Sequence, residues 1–171
     1  MKKIVLILLA ILVVGLIAMM TIKKEIVVTR SIAIKVPSEK ISLQIRNFKE
    51  FVKWSPWSKL DPEMKKEFFG EQGTVGAKYT WTGNEEVGTG SQELVEVTAE
   101  TVKTKLIFTA PWESESDIFF NFLEKENVTH VTWGYIGEMP LMMTLFVDMD
   151  EMLGKQYEEG LLSLKTICEE N

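Results

Sequence analysis

The sequence predicts an α+β fold in which a curved antiparallel sheet of about seven strands wraps around one long C-terminal helix, behind an N-terminal transmembrane helix. Three features of the 171 residues predict it. An uncharged segment lies near the N-terminus, strand-like segments then follow one another between turns, and an amphipathic stripe ends the chain. Consecutive strands that pair as a meander leave one broad apolar face, and the last helix is the element that can cover it.

The uncharged segment is Ile4–Ile22, nineteen residues between two pairs of lysines. At helical rise it spans about 28 Å, close to the hydrocarbon thickness of a bilayer, so we expect a single membrane span. A cleaved signal sequence is the alternative, but residues 17–21 lack the small-x-small pattern of a cleavage site. The chain therefore divides into an anchor with short flanks, residues 1–24, and a domain, residues 25–171.

Lysines flank the predicted span on both sides, so their charge gives only a small preference for one orientation. The N-terminal amine with Lys2 and Lys3 favours a cytoplasmic N-terminus, whereas Lys23 and Lys24 favour the reverse. We expect the first orientation, with the domain outside the cytoplasm.

The domain after the anchor is acidic. The chain carries a net charge of −6 and its first 24 residues hold four lysines and no acidic residue, which leaves −10 for the remainder. A field of that sign repels phosphate, so neither nucleic acid nor an anionic lipid surface is an expected partner. The one cysteine, Cys168, cannot form an intrachain disulfide and is expected to be a small packing residue.

The first part of the domain is predicted as a strand and a short helix. Residues 25–36 alternate in polarity as a half-buried strand does. Ser38 is a plausible N-cap for the helix that follows, in which apolar residues recur at helical spacing. Next, a Ser-Pro pair separates Trp54 from Trp57, and we expect it to hold both indoles on a rigid extended connector.

Six strands and the long helix complete the prediction. Apolar residues between Leu145 and Ile167 recur every three or four positions, and Pro140 suits the first turn of a helix, which would be about 43 Å long if it ran unbroken to Cys168. The strands lie between turn residues and cover 65–69, 76–81, 87–98, 101–110, 114–124 and 128–136.

Four motifs make the chain resemble a known family. They are Phe51-x-x-Trp54-Ser55-Pro56-Trp57, Gly76-Ala77-x-Tyr79-x-Trp81-x-Gly83-Asn84-x-x-Val87-Gly88-x-Gly90, Thr129-x-Val131-x-Trp133, and Gly154-Lys155-x-Tyr157-Glu158-x-Gly160-Leu161-x-x-Leu164-Lys165. With the order of elements, they resemble the membrane-anchored polyketide cyclase/dehydrase-like branch of the SRPBCC, or START-like, superfamily. The resemblance implies the Bet v 1 helix-grip fold, with a cavity between sheet and helix. Members of this superfamily bind lipids, sterols, plant hormones or polyketides there, and only some are enzymes.

Strand alternation and the resemblance together predict a hydrophobic pocket of roughly 300 to 1,000 Å³. Gln92 stands where the family pattern has an aliphatic residue, which would put a polar group in that pocket. Core packing is the alternative for each candidate, because buried aromatic side chains mostly pack. The candidates are Trp54, Trp57, Tyr79, Trp81, Gln92, Leu94, Leu106, Phe108, Phe120, Phe122, Trp133, Phe146, Met149 and Leu153.

No constellation for catalysis or metal binding is visible in the sequence. The single histidine, His130, alternates with Val131 and should point to the outer face of the sheet. The sequence shows no metal-ligand spacing and no glycine-rich phosphate loop. It also shows no pair of carboxylates that is predicted to be buried. We therefore predict no catalytic residue, no metal and no cofactor.

Three functions remain open. The first is a membrane-anchored binding protein for a hydrophobic small molecule or lipid. The second is an enzyme of cyclase or dehydratase type in the same pocket, with Tyr79 or a buried carboxylate as the acid or base. The third is a filled-core interaction module that exposes Trp54 and Trp57 to a membrane-protein partner. A methionine cluster at the start of the long helix fits a permissive lipid pocket, a helix lying against the membrane surface or a loosely specified core.

Overall fold

The computed structural model describes residues 2–170, apart from the side chains of residues 16–18. The outermost residues of the predicted anchor and domain, Met1 and Asn171, lie outside this range. The elements in chain order are α1 (Lys2–Thr21), β1 (Lys23–Ile34), α2 (Ser38–Arg46), α3 (Phe48–Trp54), α4 (Trp57–Leu60), β2 (Lys65–Phe69), β3 (Lys78–Thr82), β4 (Thr89–Val97), β5 (Thr101–Ala110), β6 (Ser114–Lys125), β7 (Val128–Pro140), a 3-10 turn (Met143–Leu145) and α5 (Met149–Glu170).

The strands form one seven-stranded antiparallel sheet in the order β1-β7-β6-β5-β4-β3-β2. Six consecutive strands make the meander, and β1 closes it by pairing with the last strand, from Lys23 opposite Pro140 to Ile34 opposite Thr129. A register shift between Leu94 and Glu96 adds a bulge to β4, which increases the local bend of the sheet. The predicted fold class is confirmed.

Alternating side chains give the sheet a buried inner face and an outer face. On β6, Ile118, Phe120 and Phe122 are buried, as their spacing predicts. The intervening Phe119 covers Gly134 of β7, where a Cβ would collide with its ring. On β7, His130 is exposed, in agreement with its predicted outward position.

Helix α5 lies over the inner face and is attached to β1 near both of its ends. Near the start, the Arg30 guanidinium donates to Asp150 at 2.9 Å and to Glu158 at 2.8 Å. Near the end, the Lys165 ammonium donates to the Ala33 carbonyl at 2.8 Å. The residues that α5 buries are Gly154, Tyr157, Gly160, Leu161, Leu164 and Cys168.

The long helix is shorter than predicted, because its start at Pro140 is wrong. Pro140 ends β7 instead, since the ladder with β1 continues to that residue. The helix begins at Met149, after Asp148, whose side chain accepts a hydrogen bond from the Glu151 amide at 3.1 Å and so caps the first turn. Its 22 residues are about 33 Å long rather than 43 Å.

Two predictions about the first helices are also wrong. Ser38 is the first residue of α2 rather than its cap, and both its amide and its hydroxyl donate to Glu124 of β6 at 2.8 Å. Trp54 and Trp57 do not hang on an extended connector, because Trp54 ends α3 and Trp57 begins α4. Pro56 precedes that helix as its N-cap, and proline is well tolerated where a helix begins.

Among the described residues, one helix, α1, is long and apolar enough to cross a membrane. Its side chains in residues 2–15 are exposed and make no buried contact with the rest of the protein. A membrane span and a signal sequence both have these properties. The helix ends at Thr21, and only Ile22 separates it from β1.

Candidate functional site

A cluster of aromatic rings fills the space between the sheet and α5, with Trp133 of β7 at its centre. The Trp133 indole stacks on the Tyr157 phenol of α5, with centroids 4.1 Å apart and planes 9° apart. Phe120 of β6 also stacks on the Trp133 indole, at a centroid distance of 4.9 Å. Trp54 and Trp57 meet the same indole edge-on, at 5.5 and 5.7 Å. Rings therefore occupy this level of the interior.

The approach of α5 to Trp133 depends on Gly160. A Cβ at that position would lie 2.7 Å from Cζ3 of Trp133 and 3.1 Å from Cδ of Pro56. A glycine in the middle of a helix costs about 1 kcal/mol relative to alanine. Its presence is explained here by the close packing of the helix backbone on the indole.

The ring cluster continues along the inner face towards β2. Tyr79 of β3 lies 4.9 Å from Phe48 and 5.4 Å from Trp81, and Trp81 meets Phe108 edge-on at 5.4 Å. Two indoles in the cluster have backbone acceptors: Trp81 donates to Val87 at 3.1 Å and Trp54 donates to Gln44 at 3.0 Å.

Trp133 differs from these two indoles. It is 1% exposed, and its Nε1 has no hydrogen-bond partner among the described residues. A buried donor without an acceptor costs about 1–3 kcal/mol, so such groups need an explanation. A ligand that accepts a hydrogen bond at this point would supply one.

Two buried tyrosines of the cluster, Tyr79 and Tyr157, add further donors. Desolvation by burial raises the pKa of each phenol above its ordinary value, and the nearby Tyr135 raises that of Tyr157 further. Both phenols therefore stay protonated at neutral pH. The chemistry on offer is stacking on ring faces together with hydrogen-bond donation from neutral groups.

A polar pair lies on the same inner face. The Gln92 amide donates to the Thr104 hydroxyl at 2.6 Å, and both side chains are buried. The predicted polar group in the interior is thus present at Gln92, and Ser116 is also buried there. Thr104 was missed, although it alternates in phase with Leu106 and Phe108 and the strand period would have found it.

Two of the clefts on the described surface are open to solvent, and the first lies between the start of β1 and the start of α5. One, of about 590 Å³, is lined by residues 24–28 and 144–150. The other, of about 450 Å³, is lined by the β3–β4 turn with Ala110 and Pro111. Within residues 2–170, no group of three or more His, Cys, Asp or Glu side chains is placed to hold a metal ion.

Comparison with known proteins rests on structure, because the sequence matches no protein-family model and no curated protein. A protein of unknown function from Staphylococcus aureus superposes with a TM-score of 0.66 at 12% identity, over 86% of this chain and 95% of its own. Ara h 8.0201, of the Bet v 1 family, superposes with a TM-score of 0.60 at 14% identity, over 86% of this chain and 100% of its own. This chain has the Bet v 1-like helix-grip fold.

The Aha1 dimer from Colwellia psychrerythraea is a third similar structure. It superposes with a TM-score of 0.62 at 22% identity, over 84% of this chain and 96% of its own. Identities this low show a shared architecture alone. They support the predicted superfamily fold, and they assign no ligand, partner or reaction to this chain.

The helix-grip fold brings most of the predicted pocket residues to its interior. Phe146 is the clear exception: it is 81% exposed, because it lies in the loop before α5 rather than on the helix. Phe48, Phe51 and Tyr157 belong to the ring cluster although they were not among the candidates. The buried candidates are Trp54, Tyr79, Trp81, Gln92, Leu94, Phe120, Phe122 and Trp133, and the half-buried ones are Trp57, Leu106, Phe108, Met149 and Leu153.

Proposed function

We propose that the protein is a membrane-anchored binding domain for a hydrophobic or amphipathic small molecule, or a lipid, held between the inner face of the sheet and α5. The observation that carries the proposal is the buried Trp133 N–H without an acceptor. The ligand stacks its apolar body on the surrounding rings and accepts a hydrogen bond from Trp133 Nε1 at its polar end. The helix-grip fold, in which ligands commonly bind between sheet and helix, supports this location.

Entry of a ligand requires a ring to move, and Trp57 is the ring we assign to that role. It is half-buried, whereas Trp54 and Trp133 beside it are buried. It begins the four-residue helix α4, which a solvent-exposed ion pair between Lys59 and Glu159, 2.7 Å apart, links to α5. An exposed pair of this kind contributes little to stability, so a shift of α4 mainly breaks the edge-on contacts of Trp57 and the hydrogen bond that the Asn84 side chain donates to the Leu60 carbonyl at 3.2 Å.

The anchor gives the binding site its surroundings. As a single membrane span, α1 holds the domain beside the bilayer, where hydrophobic molecules concentrate. We assign the domain to the outside of the cytoplasm and the chain to the membrane-anchored polyketide cyclase/dehydrase-like branch, in line with its motifs.

Two alternatives make different demands on the site. An enzyme would use Tyr79 as its acid or base, but a phenol whose pKa is raised by burial is poorly matched to proton transfer near neutral pH. An interaction module with a filled core agrees with the packed rings. Its predicted patch of two exposed indoles is wrong, because Trp54 is 1% exposed, so such a module would need another surface.

Native mass spectrometry of the full-length protein in mild detergent tests the proposal. The test compares Trp133→Phe, which keeps a ring but removes the N–H, with the control Trp112→Phe, which changes an indole that is 67% exposed. We expect a stoichiometric adduct on the wild type and the control. Loss of one hydrogen bond should weaken binding to Trp133→Phe by about 2- to 10-fold.

The control also separates the proposed site from lipid that adheres to α1, since such lipid would remain on all three proteins. Extraction of the adduct then gives its chemical class. A wild-type protein that stays free of domain-bound adduct after incubation with mixed membrane lipids would contradict the proposal and favour the filled-core module.

A further inference from the structure

The loop between β7 and α5 exposes large apolar side chains to solvent. In this 141–147 loop, Met143, Leu145 and Phe146 are all exposed, and Phe146 presents 81% of its surface. Met152, one turn into α5, and Val27 of β1 are exposed as well. An exposed apolar surface of this kind on a folded domain usually marks an interaction site.

The 141–147 loop is fixed to the end of α1. The Leu141 amide donates to the Ile22 carbonyl at 2.8 Å, and the Met142 amide donates to the Met19 carbonyl at 3.0 Å. The register of β1 with β7 extends this attachment, because Lys23 lies opposite Pro140. The loop therefore stands beside the last turn of α1, where the helix leaves a bilayer that it spans.

We propose that the 141–147 loop docks into the interface of the membrane that α1 spans, with Leu145 and Phe146 inserted among the lipids. This inference rests on the membrane anchoring in the proposed function. Continuity with α1 selects lipid as the occupant, because any surface fixed to the last turn of a spanning helix lies at the level of the headgroups. The domain then sits on the bilayer instead of hanging from a free tether.

Apolar contact, rather than charge, holds the loop on the membrane. The charges beside it largely cancel, because Glu138 pairs with Lys23 at 3.3 Å and Asp150 pairs with Arg30 at 2.9 Å. A surface with so little net charge is not strongly attracted to anionic lipid. We therefore expect docking on zwitterionic phosphatidylcholine, with little dependence on salt concentration.

Fluorescent labels on introduced cysteines test the docking. The full-length protein is reconstituted into phosphatidylcholine vesicles with an environment-sensitive label at Leu145→Cys, at Leu123→Cys or at Leu9→Cys, and spin-labelled lipid is added as the quencher. Native Cys168 stays largely unlabelled at neutral pH, because it is buried and burial raises the pKa of its thiol to about 11. Adding Phe146→Ser to the first variant removes the most exposed ring of the loop.

The control positions give the scale of the result. Leu123 is 71% exposed but lies opposite His130, ten residues along β7 from Pro140, or about 33 Å away from the loop. Leu9 lies within α1 and reports on its insertion. We expect strong quenching and blue-shifted emission at Leu9 and at Leu145, neither effect at Leu123, and a partial loss of both at Leu145 when Phe146 is serine.

Three results would overturn the docking. Quenching at Leu9 without quenching at Leu145 would leave the anchor intact and refute only the docking. Absence of quenching at Leu9 would refute the membrane span and the docking with it, while the ligand test on Trp133 would stand by itself. Blue-shifted but unquenched emission at Leu145 that grows with protein concentration would assign the loop to a second copy of the chain.

Discussion

Gly160→Ala is expected to destabilise the protein, although alanine is the better helix former. The added Cβ would lie 2.7 Å from Cζ3 of Trp133. The indole cannot simply rotate away, because Phe120 stacks on it at 4.9 Å and Trp54 packs edge-on at 5.5 Å. Either α5 moves off the sheet or the ring cluster repacks, and both reduce contact between buried groups.

The sign of the change follows from two opposed terms. Helix propensity favours alanine by about 1 kcal/mol. Overpacking in a dense core costs about 1–3 kcal/mol, and the neighbours of Trp133 put this site near the upper end. We expect a net loss of about 1–2 kcal/mol in the free energy of unfolding, which for a protein of this size lowers Tm by about 2–8 °C.

Urea denaturation of the full-length protein in detergent, followed by circular dichroism, measures the loss. The decisive comparison is a double-mutant cycle with Trp133→Phe, which removes the atom that Cβ would meet. We expect a coupling free energy of about 1–2 kcal/mol, because alanine is better tolerated beside the smaller ring. A more stable Gly160→Ala variant, or a coupling near zero, would refute the reasoning that Gly160 is required by the indole.

Two further predictions concern polar contacts. Thr104→Val leaves the buried Gln92 amide without its acceptor, and urea denaturation should show a loss of about 1–3 kcal/mol in the free energy of unfolding. Adding Gln92→Leu should recover most of that loss. Losses that simply add in the double variant would contradict this. The hydrogen bond from Arg30 lowers the pKa of Asp150. The contact therefore stabilises the fold when the pH is above the ordinary pKa of an aspartate, and this stabilisation is lost as the pH falls below about 4. Arg30→Met should therefore flatten the acid side of the stability profile, and an unchanged profile would show that this pair does not contribute.

The strands were predictable because their information is local. In β2 and β5, alternation and flanking turn residues placed both ends correctly, at 65–69 and 101–110. The start of α5 was not predictable in this way. The apolar stripe continues back through Leu145, but the backbone before that residue makes its hydrogen bonds outside the helix. The amides of Leu141 and Met142 donate to carbonyls at the end of α1 and just after it, more than a hundred residues away in sequence, and no local pattern reveals such a contact.

The candidate site shows the same division between local and distant information. The inward direction of Trp133 followed from its alternation with Val131 on one strand. Its stacking partner Tyr157 lies on α5, and the match of ring to ring depends on where Gly160 lets the helix lie. The wrong predictions for Phe146 and Pro140 have the same cause, because both placed the residue in α5, which begins only at Met149.

Attachment of α5 to β1 bears on how the proposed ligand would enter. Arg30 holds the first turns of the helix, and near its end Glu169 accepts from the Lys35 amide at 2.8 Å while Lys165 donates to Ala33. Fixed near both ends to one strand, α5 cannot rise from the sheet without breaking contacts at two distant points. Helix α4 is attached less firmly, because it is only four residues long and Trp57 is half-buried. Exchange of the ligand is therefore assigned to a movement of α4 and Trp57, with α5 as the fixed wall against which the ligand packs.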